Sequence, residues 1–322
     1  MKRPFALLTI ALAITGCLPL PHAVSTPTEV WTVFSPADSA VESSADCSSF
    51  VEVWIALDTI SLRPAPLGER ARCGAYTAVA RRIAAVTSFQ GSRYHPETIR
   101  AIGESPDALS RTAGAIARMA TAGPARGVLL DFQEMSGEDL PTLMEVSRAI
   151  ADSARALSPE LVGMIIPAAD SSSYPGRILG RVADILLVKI FPEHGLGNPA
   201  GPIVSPPWFA RHLGTRAGEI GVNRIVAGIP ADGVLWNARG GNRRISYAEA
   251  LRLAEGSATP LVRDPVSGNL HAVSTRDGWE LWVSDHVLVM TLIAEGRRIG
   301  VTRFALFGLE GADPKLWQSL PQ

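Results

Sequence analysis

Two neighbouring carboxylates could carry acid–base chemistry, Asp131 and Glu134, with Gln133 between them, in the run Arg126-Gly127-Val128-Leu129-Leu130-Asp131-Phe132-Gln133-Glu134-Met135. Val128 to Phe132 is apolar with one carboxylate set into it, and two polar residues end it. A run that short, broken by a charge near its far end, reads as a buried parallel strand that delivers side chains to a site. Side chains alternate along a strand, so Asp131 and Gln133 share a face and Glu134 takes the other. A carboxylate at that point can orient a polar group or handle a proton. A primary amide can hold a ligand but has no proton to transfer at any useful pH. Asp131 has a plainer reading as a helix cap or the partner of an arginine, and Gln133 as a buried hydrogen-bonding group.

The elements around that stretch have a regular order. A helix over Asp139 to Leu157 and a second apolar run, Leu161 to Ile166, complete a βαβ unit with an acid at the carboxyl end of its first strand. Before it, strands are predicted over Glu29 to Phe34, Phe50 to Leu57 and Ala84 to Phe89, with a loop over Ala37 to Ser49. Helices are predicted over Ala75 to Ile83, Pro96 to Ile102 and Pro106 to Ala122. After it come strands over Val182 to Phe191 and Arg224 to Pro230, and a helix over Trp208 to Glu219. Residues 237 to 285 break the rhythm with a Gly-rich turn, one helix from Tyr247 to Glu255 and short β-like pieces, and read as an insertion. A helix over Val287 to Gly296 and an eighth strand, Arg303 to Phe307, close the pattern. Eight strands alternating with helices predict an α/β fold, a (β/α)8 TIM barrel with a small α+β insertion before the last strand. A doubly wound sheet lacks support, because no glycine-rich phosphate loop follows the first strand.

The 322 residues are 47% hydrophobic and 19% charged, with a formal net charge of −1, so nothing points to nucleic acid as a partner. Lys2 and Arg3, the apolar stretch Phe5 to Ile14 and Ile14-Thr15-Gly16-Cys17 form a targeting segment too short to span a bilayer. Residues 1–16 read as a signal peptide and 17–28, rich in proline and hydroxyls, as a tether before a domain over 29–322. The small residue before Cys17 resembles a bacterial lipobox, which would make Cys17 a lipidated anchor; an ordinary secretory signal is the alternative. Cys47 and Cys73 are then left either as one disulfide or as two separate thiols.

Several motifs together resemble family 18 glycoside hydrolases, the chitinase and spore-wall glycosidase group, and within it the bacterial cell-envelope branch. The central strand is similar to the family signature. Ala183-Asp184 through Phe191-Pro192-Glu193-His194 resembles its sixth strand, and Gly201 to Trp208 the segment after it. Val226 to Pro230 with Trp236 resembles the seventh strand and its aromatic. Ile245-Ser246-Tyr247 with Ala248-Glu249-Ala250 is similar to the start of the inserted element. Phe304 to Leu309 and Asp313-Pro314-Lys315-Leu316-Trp317 resemble the last strand and closing helix. The likeness runs over roughly residues 29 to 320.

The resemblance implies a substrate-assisted retaining mechanism: one Glu protonates the glycosidic oxygen while the sugar's own acetamido group attacks the anomeric carbon. An Asp two residues earlier orients that group, and a Tyr from the sixth strand bonds its carbonyl. In this chain Asp131 matches, but the acid position is Gln133, the Tyr is Phe191, the adjacent Asp is Pro192, and the Trp of the last strand is Phe307. Leu129 and Arg126 stand at upstream positions that are acidic in chitinases. Phe191, Glu193, His194, Trp236 and Phe307 are expected to contact substrate. Glu193 and His194, being adjacent, are not expected to share a metal; of Trp208, Trp236, Trp279, Trp282 and Trp317, only Trp236 is expected to line the mouth.

The expectation is an envelope lipoprotein, anchored through Cys17, that binds an N-acetylated glycan (peptidoglycan or chitin-like) with hydrolysis impaired or absent. The alternatives are an active glycosidase using Glu134 or Glu193 as acid, and a barrel that binds another protein. No cofactor or metal is expected, and without a Gly-x-Ser-x-Gly, a metal-spaced His cluster or a paired-Cys motif the esterase, metal-dependent deacetylase and redox readings lack a site.

Overall fold

A computed structural model describes residues 27–33, 42–43, 49–68, 72–73, 81–123, 125–157 and 159–320. The signal peptide, Cys17, most of the tether, Cys47 and the side chain of Cys73 lie outside the described residues.

Eight parallel strands form the expected (β/α)8 barrel: β1 (Glu29–Val33), β2 (Ser49–Leu57), β3 (Arg81–Thr87), β4 (Gly127–Asp131), β5 (Leu161–Pro167), β6 (Ile185–Lys189), β7 (Ile225–Pro230) and β8 (Arg303–Phe307). The ring closes because β1 pairs in parallel with both β8 and β2. Helices α1 (Pro96–Gly103) and α2 (Pro106–Thr121) follow β3, α3 (Leu140–Arg155) follows β4, α4 (Gly176–Leu179) follows β5 and α5 (Pro206–Ile220) follows β6. Further along lie α6 (Tyr247–Gly256), α7 (His286–Ile299) and α8 (Leu316–Ser319).

Strand alternation divides the apolar residues into two cores. Trp31, Val51, Trp54, Ile83, Leu129, Ile165, Leu187 and Val226 fill the lumen. Val53, Ile55, Val128, Leu130, Val188 and Ile229 point outward and pack under the helices. A bulge between Val51 and Val53 lets β2 keep Trp54 inside.

One predicted element differs. The helix read over Ala75 to Ile83 is strand from Arg81 onward, with residues 75–80 outside the described ones. The alanine-rich composition favours a helix, but Arg81 and Arg82 lie within reach of Glu29 and Glu52, at 3.9 and 3.7 Å, and Ile83 is buried in the lumen. Tertiary pairing overrides local propensity there.

The insertion is a five-stranded antiparallel sheet in the order Arg243–Ile245, Gly233–Asn237, Trp279–Val283, Leu270–Ser274, Val262–Arg263. It leaves the barrel between β7 and α7. One face packs on α6 through Leu235, Ile245, Ala250, Leu281 and Val283. The other presents Val234, Trp236 and Trp282 to Phe191, Ile203 and Phe307. The inserted sheet is therefore a wall beside the carboxyl ends of β6 to β8.

Candidate active site

β4 ends at Asp131, opposite Thr87 on β3 in the ladder, so both side chains reach the barrel mouth. Asp131 is 3% exposed and both of its oxygens accept hydrogen bonds from side chains. Oδ2 accepts from Tyr94 Oη at 2.9 Å and Thr87 Oγ1 at 3.4 Å, and Oδ1 accepts from Gln133 Nε2 at 2.9 Å. Burial raises the carboxyl above its usual range, opposed first by the charge of Lys189 and then by these donors. Burial, with Asp131 beside it, raises the Tyr94 phenol in turn.

Gln133 shares Asp131's face, as alternation requires, although regular strand structure has ended. Its Nε2 also donates to Ile165 O at 2.8 Å. Both neighbours are pure acceptors, so the amide orientation is forced: NH2 inward, Oε1 free of any donor from the described residues. The group can accept a hydrogen bond from a ligand and can release no proton.

The turn beyond it is held from two sides. Tyr174 donates to Phe132 O at 2.8 Å and accepts from Met135 N at 2.9 Å. Tyr174 is itself fixed by Arg216, which is fully buried on α5 and donates to Pro167 O, Ala168 O, Asp170 O and Tyr174 O between 2.6 and 3.1 Å. On the other side Asp139 accepts two bonds from Arg100, at 2.6 and 2.8 Å, and bonds from the backbone and hydroxyl of Ser136. The Arg100 guanidinium holds the Asp139 carboxyl well below the usual carboxylate range. Between these two clamps Glu134 has φ +62° and is exposed. The chain turns at Glu134, which removes it from simple strand alternation.

Lys189 completes the mouth. It sits two residues beyond Leu187 on β6, so its side chain also points inward. Its Nζ lies 5.5 Å from the Phe191 ring centroid and 6.0 Å from that of Phe307, and the two rings meet edge to face at 5.1 Å. Gly228 makes room for this stack: a Cβ there would meet Phe307 at 3.1 Å and the Lys189 Cα at 3.2 Å. Burial lowers the Lys189 ammonium, Asp131 raises it, and the charge of Arg244 lowers it again.

The other expected residues divide. Phe191, Phe307 and Trp236 belong to one aromatic wall, with Trp282 added to them. Trp236 Nε1 donates to Asn198 O at 2.9 Å, tying the wall to the loop after β6. A groove of about 420 Å³ continues from Trp236 past Ala200, Asn237, Val273 and Glu280. Glu193 and His194 organise that loop. The Glu193 carboxylate accepts from Ser205 N at 2.8 Å, and His194 Nδ1 lies 3.1 Å from Pro199 O against Gly201.

One group of metal-type ligands exists among the described residues: Asp285, His286 and Asp313, with atoms within 4.8 Å of one another. All three have partners already. Asp285 takes Arg263 at 2.5 Å and caps α7 through Leu288 N, and Asp313 takes His286 Nδ1 at 2.6 Å and Lys315 N at 3.0 Å. The cluster joins the inserted sheet to α7 and the final turns.

The sequence singled out neither Tyr94 nor Lys189, and the expectation that Trp236 alone of the tryptophans lines the mouth is corrected by Trp282, which packs in the same wall. Lys189 carried a usable signal, being one charge near the far end of the apolar run Val182 to Phe191, the same pattern that marked Asp131. Tyr94 also carried one: Gly91-Ser92, between Phe89–Gln90 and Arg93–Tyr94, is a two-residue hairpin turn that brings it back over the mouth.

The barrel is similar to those of chitinases and spore cortex-lytic enzymes. The chitinase from Chromobacterium violaceum ATCC 12472 superposes with a TM-score of 0.73 at 15% identity, covering 91% of this chain and 97% of that one. The Bacillus cereus spore cortex-lytic enzyme SleL gives 0.76 at 12% identity, over 93% and 75% of the two chains. A class V chitinase mutant from Nicotiana tobaccum, in complex with NAG4, gives 0.69 at 14% identity, over 91% and 97%. At such identities the likeness establishes the fold. In sequence, the uncharacterized glycosylase YvbX of Bacillus subtilis (strain 168) is 26% identical over 126 residues, a match that spans 36% of each chain. No family model matches the chain.

Proposed function

We propose that this protein is an envelope-anchored barrel that binds an N-acetylated glycan, peptidoglycan or chitin-like, at the mouth built around Asp131, with hydrolysis absent or severely impaired. One observation carries the reading. At the position where the resemblance calls for a proton donor, Gln133 has its amide hydrogens turned to Asp131 and Ile165 O, at 2.9 and 2.8 Å. Phe191 beside it offers a ring without a hydroxyl, which removes a second polar group that the resemblance requires. Binding remains chemically reasonable: an aromatic wall for sugar rings, the Gln133 Oε1 acceptor and the Lys189 donor converge on one opening. The carriers of a fold like this one include a chitinase crystallised with NAG4, which supports the ligand class.

A second reading keeps catalysis and moves the acid to Glu134. What favours it is the left-handed backbone there, a conformation uncommon for a residue other than glycine and concentrated at functional sites. The same assay tests both. Purified protein is incubated with N-acetylglucosamine oligomers and with peptidoglycan, and both binding and release of reducing ends are measured. Binding without release supports the proposal. Release that disappears in Glu134→Gln supports the second reading, and a folded barrel that retains no glycan points to a protein-binding scaffold.

A further inference from the structure

The flank of the barrel formed by α2 and the loop after β2 carries a pocket that the mouth does not use. It holds about 450 Å³ and, among the described residues, is lined by Arg63, Arg111 and Arg118, by apolar side chains such as Leu62, Ala115 and Met119, and by no acid. Arg111 and Arg118 lie seven residues apart on α2 with Ala115 between them, so they share one face. Arg118 folds back along that face. Its Nη1 would stand 3.4 Å from a Cβ at Gly114, which puts the charge about one turn from the level of Arg111. Arg63 arrives from the loop, whose backbone is held by its own bonds. The Asp58 carboxylate accepts from Ile60 N at 3.2 Å, Ser61 N at 2.6 Å and Ser61 Oγ at 2.7 Å, and Asp58 N donates to Arg63 O at 3.0 Å. Leu62 adopts φ +56°, uncommon for a bulky side chain, and buried Thr112 of α2 donates to its carbonyl at 3.0 Å. All three arginines are exposed, and none ion-pairs with a described residue. A concave site lined by one sign of charge draws the opposite sign.

We infer that this pocket seats the phosphate of an anionic phospholipid and docks the α2 flank of the barrel on a membrane. Phosphate oxygens fit the planar fork of an arginine, and the pocket offers three such forks. The apolar part of the lining suits the glycerol backbone and the first acyl carbons. Ile60 supplies a second observation. It belongs to the same loop and is 91% exposed, more than any other large apolar side chain among the described residues. Beside a bound headgroup it would enter the acyl boundary, where burial of an aliphatic side chain adds to the electrostatic attraction. A soluble anion or an acidic peptide accounts for the arginines but leaves Ile60 in water. The envelope location comes from the reading above; glycan binding at the mouth is not required.

The test is titration calorimetry of the full chain with dihexanoyl phosphatidylglycerol below its micellar concentration. Dihexanoyl phosphatidylcholine, inorganic phosphate and an octapeptide alternating Glu and Leu are the comparison arms. Monomeric lipids keep the readout independent of any acyl group on Cys17. Phosphatidylglycerol is expected to bind at least about tenfold tighter than phosphatidylcholine or inorganic phosphate. Arg111→Gln with Arg118→Gln is expected to erase that preference. Ile60→Ser is expected to weaken phosphatidylglycerol about fivefold and to leave inorganic phosphate unchanged. All three positions are exposed, and thermal unfolding checks that the fold survives. Equal affinity for the two lipids overturns the inference, as does a preference that persists in the double variant. Phosphate or the peptide binding as tightly as phosphatidylglycerol overturns it too, in favour of a simple anion site or a protein partner. The wild-type comparison decides even if a variant fails to fold. Failure here with lipidation of Cys17 intact leaves the anchor standing, and the converse leaves this docking standing without it.

Discussion

Tyr94 gives its hydroxyl hydrogen to Asp131 across 2.9 Å, from a hairpin that turns at Gly91-Ser92. The bond lowers a carboxyl that burial raises. Because the folded carboxyl lies above its unfolded value of about 3.9, the fold binds this proton more tightly, and stability from it is lost as pH rises from there through the folded value. Tyr94→Phe is expected to push the Asp131 carboxyl higher still and to extend that loss to higher pH. The cost near neutrality should be about 1–3 kcal/mol, for one bond to a charged group. Urea unfolding across a pH series, with Asp131→Asn as the control that removes the titration, checks both the sign and the size.

Gln133→Glu puts a second carboxyl within hydrogen-bonding range of Asp131 and opposite Ile165 O. Two such groups cannot both ionise cheaply, so the pair is expected to retain one proton to higher pH than either would alone. The variant should be more stable relative to wild type in mild acid than at neutral pH. Hydrolysis of N-acetylglucosamine oligomers should be weak at best, since Phe191 still lacks a hydroxyl. A robust glycosidase from this one change would mean that only the proton donor had been missing.

Arg216 holds the loop after β5 through Pro167 O, Ala168 O, Asp170 O and Tyr174 O, and pairs with Glu219 at 2.9 Å. Arg216→Met takes the guanidinium from those carbonyls and from Glu219 and is expected to cost roughly 3–5 kcal/mol, as for breaking a buried ionic network. Tyr174→Phe is the milder probe. It removes only the bonds to Phe132 and Met135, costs about 1–2 kcal/mol, and should weaken glycan affinity more than stability because it loosens the turn carrying Gln133. Thermal unfolding and calorimetric titration separate the two effects.

Asp139 provides an acid limb of stability. Arg100 and Ser136 hold its carboxyl below the unfolded value, so its contribution is complete above pH ~4 and is lost as pH falls through the folded value. Asp139→Asn should flatten that limb and cost about 1 kcal/mol near neutrality, the usual worth of a helix-start cap. A pH series of unfolding midpoints distinguishes this acid limb from the opposite slope tied to Asp131.

Anchoring is tested separately. Cys17→Ala is expected to abolish incorporation of a palmitate analogue and to release the protein from the membrane fraction; unchanged fractionation would leave the segment an ordinary secretory signal.

Much of the barrel was legible because its strands are buried on both faces and read as apolar runs, with Arg303 to Phe307 matching residue for residue. Asp131 and Gln133 could be paired from alternation alone, since two residues along a strand restore the same face. The early end of β4 was not legible, because it is imposed from outside by Tyr174 and Asp139, far along the chain. Arg81 to Ile83 misled for a related reason: alanine content predicts a helix, while Ser49 and Phe50 across the ladder require a strand. Lys189 could have been seen, as an isolated charge in an apolar run; what it faces could not, because Phe307 and Arg244 arrive from other parts of the chain.

β1 closes the ring in the same direction as its neighbours, so the chain enters the barrel at the end opposite the mouth. From Cys17 to Glu29 an extended chain spans at most about 40 Å. A lipid at Cys17, if the labelling above bears it out, would attach at the base of the barrel and keep that base within this reach of the bilayer. The opening ringed by Asp131, Lys189 and the inserted wall lies at the other end of the barrel from that entry point.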